Sequence, residues 1–193
     1  MDTVDALEAA LARTVAVVDL IGPADHARPT VCGEWDLGAL LGHVVGATEA
    51  FATVLHGGPT PARGRVEPDE ATSTRLRDAA TRAIAGWRTP GALEREYDSV
   101  IELDGGVLIP PIPLPGSMFL SINLLDVGVH VHDLAAAIDR PELAADDGIA
   151  EATLDAARLI LQPGIRELAG FGPERVPAPD AGAVGRLLAF VGR

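Results

Sequence analysis

Apolar residues recur at three- and four-residue intervals through most of this chain, the spacing that lines one face of an α-helix. Val4, Leu7, Leu11, Val15 and Val18 mark a first helix, opened by Asp2 or Thr3 as N-cap and stopped near Gly22-Pro23. The segment from Ala24 to Glu34 holds Pro29 and Gly33 and reads as a loop leading to Trp35. Asp36 is placed to cap a second helix with Leu37, Leu40, Val44, Phe51 and Leu55 on its apolar face, ended by Gly57-Gly58-Pro59. Thr60 to Glu67 reads as a surface connection. A third helix is expected from about Pro68 to Arg88, with Leu76, Ala80, Ala83, Ile84 and Trp87 on its buried side.

The texture then changes. Glu94 to Leu103 is richer in β-branched and aromatic residues, Asp104-Gly105-Gly106 is a turn signal, and Val107 to Ile109 resumes the apolar run, so a short hairpin is expected. Pro110, Pro111, Pro113 and Pro115 forbid helix and predict an extended segment able to lie over the mouth of a site. A fourth helix starts at Gly116-Ser117, runs to about Ile138 and stops at Asp139-Arg140-Pro141. It is apolar nearly all round and is therefore expected at the centre. A fifth helix spans about Asp146 to Leu161, a break falls at Pro163-Gly164, and a last short helix runs from about Asp180 to Phe190. The fold class is mainly α: a helical bundle with a short hairpin or extended insertion and extra C-terminal helices, in one domain over residues 1–193.

Composition narrows the chemistry. The 193 residues are 48% hydrophobic, enough to fill one core. With 15 Lys plus Arg against 28 Asp plus Glu, the net charge of −13 repels phosphate backbones and anionic lipid, so neither nucleic acid nor membrane is an expected partner. No run of 18 uncharged apolar residues occurs, and Met1-Asp2-Thr3-Val4-Asp5 is acidic where a secretory signal is basic, which predicts a cytoplasmic protein. Cys32 is the only cysteine, so a metal here must be held by histidine and carboxylate; Cys32 itself reads as a small buried hydrophobe.

Ionisable groups inside the apolar fourth helix are the candidate chemistry. Asp126 and His130 lie one turn apart on one face, while His132 is about 200° round from His130 and cannot share an ion with it. A third ligand must come from elsewhere, and His43, at the edge of the second helix's stripe, is the obvious donor. Two imidazoles and one carboxylate make a common catalytic zinc set with one position left open. The alternative is a satisfied core pair, His130 donating to Asp126 with His43 bonded to a backbone carbonyl. His26 and His56 read as exposed, and His132 as exposed or at an interface. Asp133 stands either behind His130, orienting it, or in a plain packing hydrogen bond.

Three stretches carry a resemblance. Arg28-Pro29-Thr30-Val31-Cys32-Gly33-Glu34-Trp35-Asp36-Leu37, continuing through Leu40-Leu41-Gly42-His43, resembles the opening of the mycothiol-dependent maleylpyruvate isomerase-like, DinB-related metal-binding proteins. Asp126 to Ala135 is similar to that family's segment bearing a carboxylate and a histidine, and Val176 to Arg193 to the closing segment of its actinobacterial-type members. Val31 stands where the family has proline, and His132 where many members have tryptophan. The resemblance implies a DinB-like four-helix bundle with a divalent metal, Zn²⁺ or Ni²⁺, between the second and fourth helices. It implies His43, Asp126 and His130 as its ligands, a low-molecular-weight thiol such as mycothiol as cosubstrate, an electrophilic substrate, S-transferase or isomerase chemistry, and a homodimer. The maleylpyruvate isomerases add a separate C-terminal domain with no counterpart here, which points away from maleylpyruvate as the substrate. The alternative expectation is a non-catalytic metal-binding or interaction module on the same bundle.

Overall fold

Two aspartates set the starts of the first two helices. In the computed structural model, which describes residues 1–33, 35–59, 67–103 and 107–193 and side chains outside 99–111, Asp2 accepts the Asp5 N–H at 2.8 Å and Asp36 the Ala39 N–H at 2.8 Å. Each satisfies one of the N–H groups that a helix leaves unpaired in its first turn. They open α1 (Thr3–Val18) and α2 (Leu37–Leu55). The remaining elements are α3 (Thr72–Trp87), β1 (Glu96–Leu103), β2 (Val107–Pro115), α4 (Gly116–Ala137), α5 (Asp147–Ile160), α6 (Ile165–Leu168) and α7 (Ala183–Phe190). Short 3₁₀ turns at Pro23–Asp25 and Pro141–Leu143 close the loops that follow α1 and α4.

The fold class is as expected: helices α1 to α4 form the bundle, with α1 packed on α3 and α4 and α2 on α3 and α4. Helix α5 covers a further face of α4 and carries α7 on its outer side. The core falls into two apolar clusters, one around Leu7, Phe51, Trp87, Leu124 and Ile149, the other around Leu37, Leu40, Val44, Leu76, Val131 and Leu134. Helix α4 contributes to both, which is why it is apolar nearly all round. By length and composition α2 is able to cross a membrane, but 61% of its most apolar window is buried against the rest of the protein.

Several boundaries differ from the sequence reading. Helix α1 stops at Val18, before Gly22-Pro23. Helix α3 begins at Thr72 rather than near Pro68, because Asp69 Oδ1 accepts the Ala71 N–H at 2.9 Å and the Thr72 hydroxyl donates to the same carboxylate, closing a turn that competes with helix. The last helix starts at Ala183, and α6 forms unforeseen after Gly164, whose φ of +87° reverses the chain there.

The expected hairpin and extended segment form one element: Pro110 to Pro115 continue β2, which pairs antiparallel with β1 in the register Glu96 to Pro115, Tyr97 to Leu114 and Asp98 to Pro113. A strand with one unpaired edge tolerates residues that lack an N–H. The base of the hairpin stacks Tyr97 on Phe119 at 5.3 Å, about 16 Å of helix rise from His130, so this part does not cover the candidate site. The turn expected at 104–106, and the connection at 60–66, lie outside the described residues.

Candidate functional site

Helices α2 and α4 bring His43, Asp126 and His130 together. The His43 Nε2–H donates to Asp126 Oδ1 at 2.9 Å, and His130 Nε2 lies 3.5 Å from the same oxygen. One candidate ligand atom from each residue can be chosen so that all three lie within 4.8 Å of one another. The two imidazole rings meet edge to face, with centroids 5.1 Å apart. The side chains are 26%, 20% and 10% exposed respectively, so the group sits at the rim of the bundle rather than deep in its core.

Charge placement agrees with this geometry. Burial pushes the Asp126 carboxyl up, but the charge and hydrogen bond of His43 and the charge of His130 outweigh it, and the net shift is downward. Burial likewise disfavours the His130 imidazolium. Hydrogen bonds to Asp133 and Cys32, with the charges of Asp126 and Asp133, more than offset that and raise it to about 10. Asp126 Oδ2 is buried and has no hydrogen-bond partner among the described residues. A buried acceptor left unmatched costs stability unless something fills it, and a cation beside the two imidazoles would do so. This donor set therefore fits a divalent cation.

Behind His130 lies a second set of side chains that the sequence reading did not assemble. The His130 Nδ1–H donates to Asp133 Oδ2 at 3.0 Å, and the Cys32 thiol donates to the same oxygen at 3.0 Å. Arg193 Nε donates to Asp133 Oδ1 at 3.0 Å, and its Nη2 approaches Cys32 Sγ at 3.5 Å. Ligand atoms of Cys32, His130 and Asp133 likewise lie within 4.8 Å of one another. The guanidinium already supplies the positive charge beside both Asp133 and Cys32, so this group reads as a support for His130 rather than a second metal centre. Cys32 is thus half-buried and packed against the second apolar cluster, as expected of a small hydrophobe, with its thiol also donating to Asp133.

The loop that carries Cys32 also builds one wall of the site. The Thr30 hydroxyl donates to the Trp35 carbonyl at 2.7 Å, the Cys32 N–H donates to Thr30 Oγ1 at 3.0 Å, and the Leu37 N–H returns to the Arg28 carbonyl at 2.8 Å. The loop thereby sets the Trp35 ring 5.0 Å from His43 and 6.5 Å from His130.

The other histidines lie apart from this group. His56 is exposed, as expected, and its Nε2 lies 3.0 Å from the Arg82 carbonyl. His26 is half-buried, packed beside Gly38. His132, expected at an exposed or interface position, is only 7% exposed, and its Nε2 has no partner among the described residues. Burial pushes its pKa down.

The family model described as the mycothiol maleylpyruvate isomerase N-terminal domain matches residues 4–135, which include α1 from its second residue, α2, α3 and the three residues of the group. Two uncharacterized proteins of Mycobacterium tuberculosis, from different strains, are each 29% identical over 171 residues, spanning 86% of this chain and 83% of their own. Among solved structures, the crystal structure of the mycothiol-dependent maleylpyruvate isomerase matches with a TM-score of 0.51 and 18% identity. A histidine-to-alanine mutant of that enzyme matches at 0.53 and 17%. Each match covers 79% of this chain and 68% of the solved one, and at such identity the likeness is one of fold.

Proposed function

The chain belongs to the mycothiol maleylpyruvate isomerase N-terminal domain family, and from that premise we propose that it is a thiol-dependent transferase or isomerase centred on a divalent ion held by His43, Asp126 and His130. The observation that carries the reading is the approach of two imidazoles to one carboxylate oxygen, at 2.9 and 3.5 Å, beside a carboxylate oxygen that is buried and unmatched. Zn²⁺ or Ni²⁺ at that point would supply Lewis acidity, lowering the pKa of a thiol such as mycothiol so that thiolate is available at neutral pH.

The chain's own residues prepare the place. Asp133 holds the His130 ring from behind through Nδ1, so that Nε2 faces Asp126 and His43. The Trp35 ring, beside His43 and His130, limits the water around the reacting atoms and offers an apolar face to the electrophile. Two neutral imidazoles and one carboxylate leave a net positive charge on a divalent ion, which suits an anionic partner.

The test is elemental analysis of protein purified without chelator, together with a thermal shift on adding mycothiol. The parent is expected to carry about one ion per chain, His130→Ala to carry none, and the ion-loaded parent alone to be stabilised by the thiol. Equal metal content in parent and variant would overturn the ligand assignment. Full metal with no response to the thiol would overturn the thiol-dependent reading.

A further inference from the structure

Asp133 is the most enclosed ionised group around the candidate site, its side chain 1% exposed, yet it does not face the point where His43 and Asp126 meet. Its oxygens receive His130 Nδ1–H and the Cys32 thiol from one side and the Arg193 guanidinium from the other. The Arg193 side chain is itself only 11% exposed. Removing two charges from water is costly unless the geometry is good and the remaining hydrogen-bonding positions are filled. Here they are filled, and the side chain that profits besides the pair is His130.

The two nitrogens of His130 are held unequally. Nδ1 is 3.0 Å from Asp133, while Nε2 is 3.5 Å from Asp126. The firmer bond is on the side away from the candidate ion, so the ring is anchored by Asp133 and its Nε2 is the nitrogen that an ion can take in exchange for a proton. The anchor depends in turn on Arg193, which lies outside the segment matched by the family model, residues 4–135.

Arg193 is seated by the backbone. Gly192 has a φ of +78°, and a Cβ added there would come within 2.6 Å of the Gly172 backbone, so two glycine segments touch at that point. The Arg193 N–H donates to the Leu188 carbonyl at 2.8 Å, closing the turn after α7, and the guanidinium lies 5.7 Å from the centre of the Phe171 ring. The turn after α7 and the segment at Phe171 thus hold the guanidinium against Asp133.

We propose that Asp133 and Arg193 are positioning residues for the ion site: Arg193 fixes the Asp133 carboxylate, and the carboxylate fixes the orientation and tautomer of His130 as a ligand. The inference rests on the reading of His43, Asp126 and His130 as the ligand set, and deepens it by making ion affinity depend on the C-terminal turn. A carboxylate behind a metal-bound histidine typically changes affinity by roughly 10- to 100-fold when removed.

The test uses Co²⁺, whose d–d absorption reports ligand geometry, with the full chain and the variants Asp133→Asn, Arg193→Gln, Arg193→Lys and His43→Ala, each checked for folding by thermal melting. The parent is expected to bind one Co²⁺ and His43→Ala to lose it. Arg193→Gln and Asp133→Asn are expected to bind about tenfold or more weakly, with a changed d–d spectrum at saturating Co²⁺. Arg193→Lys keeps the charge but not the two-pronged contact, and should fall between parent and Arg193→Gln. Should Asp133→Asn fail to fold, the two Arg193 variants carry the test alone. Parent-like affinity and spectrum in folded Arg193→Gln, with His43→Ala still unable to bind, overturn the positioning role and leave the ligand set standing. No Co²⁺ uptake by the parent, or undiminished uptake by His43→Ala, overturns the ligand set and the positioning role with it.

Discussion

His43 and Asp126, 83 residues apart in sequence and on different helices, meet at 2.9 Å through Nε2 and Oδ1. Because the two ends of this contact come from α2 and α4, whatever bridges it ties those helices together. A ligand bound only by the folded chain stabilises it by about 2.7 kcal/mol at a hundred times its dissociation constant. The expected outcome is a higher Tm on adding Zn²⁺ to the chelator-treated parent, reversed by chelator and absent in His43→Ala. An equal rise in His43→Ala would place the ion elsewhere on the chain.

Proton and ion compete for His130. In the ion-free protein its pKa is raised from 6.5 to about 10, so its pairing with Asp133 stabilises the fold fully below about pH 6.5 and is lost as pH climbs through 10. Asp133 is lowered from 3.8 to about 2, and its contribution is present above 3.8 and lost as pH falls toward 2. The Tm advantage of the ion-free parent over His130→Gln should therefore shrink between pH 6.5 and 10. Over the same range Co²⁺ affinity should rise by about tenfold per pH unit, since each ion displaces one proton from His130. Calorimetry in buffers of different ionisation enthalpy counts that proton, and a release of zero would contradict the scheme.

The bundle and the three-residue group were legible because both are local patterns projected across one gap. Asp126 and His130 share a face through the helical repeat, and His43 sits on the flank of a strong apolar stripe. Asp133 behind His130 was legible from the helical repeat, but the rest of that set was not, since Cys32 and Arg193 reach Asp133 only after the opening loop and the turn after α7 dock on α4. The Cys and Asp stood in the quoted motifs, but nothing periodic marks Arg193. His132 was misjudged for a related reason. It shares its side of α4 with Ser121 and Gly128, a pairing that suggests solvent, whereas the glycine is there because α5 crosses closely.

That crossing gives a stability prediction. A Cβ at Gly128 would lie 2.2 Å from Thr153 Oγ1 and 2.8 Å from its Cγ2, so Gly128→Ala forces α4 and α5 apart. Overpacking of this kind costs roughly 1–3 kcal/mol. The Thr153 hydroxyl is buried and has no partner among the described residues, so Thr153→Ala removes both the obstruction and an unmatched polar group. The double variant should recover most of the loss in chemical denaturation; strictly additive losses would show that the crossing distance is set elsewhere.

A last prediction concerns how α4 is held at the rotation that aims Asp126 and His130 at α2. Asn123 stands one turn before Asp126 on the same side, fully buried, and its Oδ1 accepts the Trp87 Nε1–H from α3 at 3.1 Å. Its Nδ2 has no partner among the described residues, so this single bond is what the side chain contributes. Asn123→Ala leaves a buried indole N–H unpaired, at a cost of roughly 1–3 kcal/mol. Trp87→Phe strands the amide instead, so the double variant should lose less than the sum of the two, by about 0.5–1.5 kcal/mol. The same bond acts on the site only through the orientation of α4, so folded Asn123→Ala should also bind Co²⁺ more weakly than the parent. A stability loss with unchanged Co²⁺ affinity would mean that the apolar packing of α4 against α1 and α2 sets its rotation without help from Asn123.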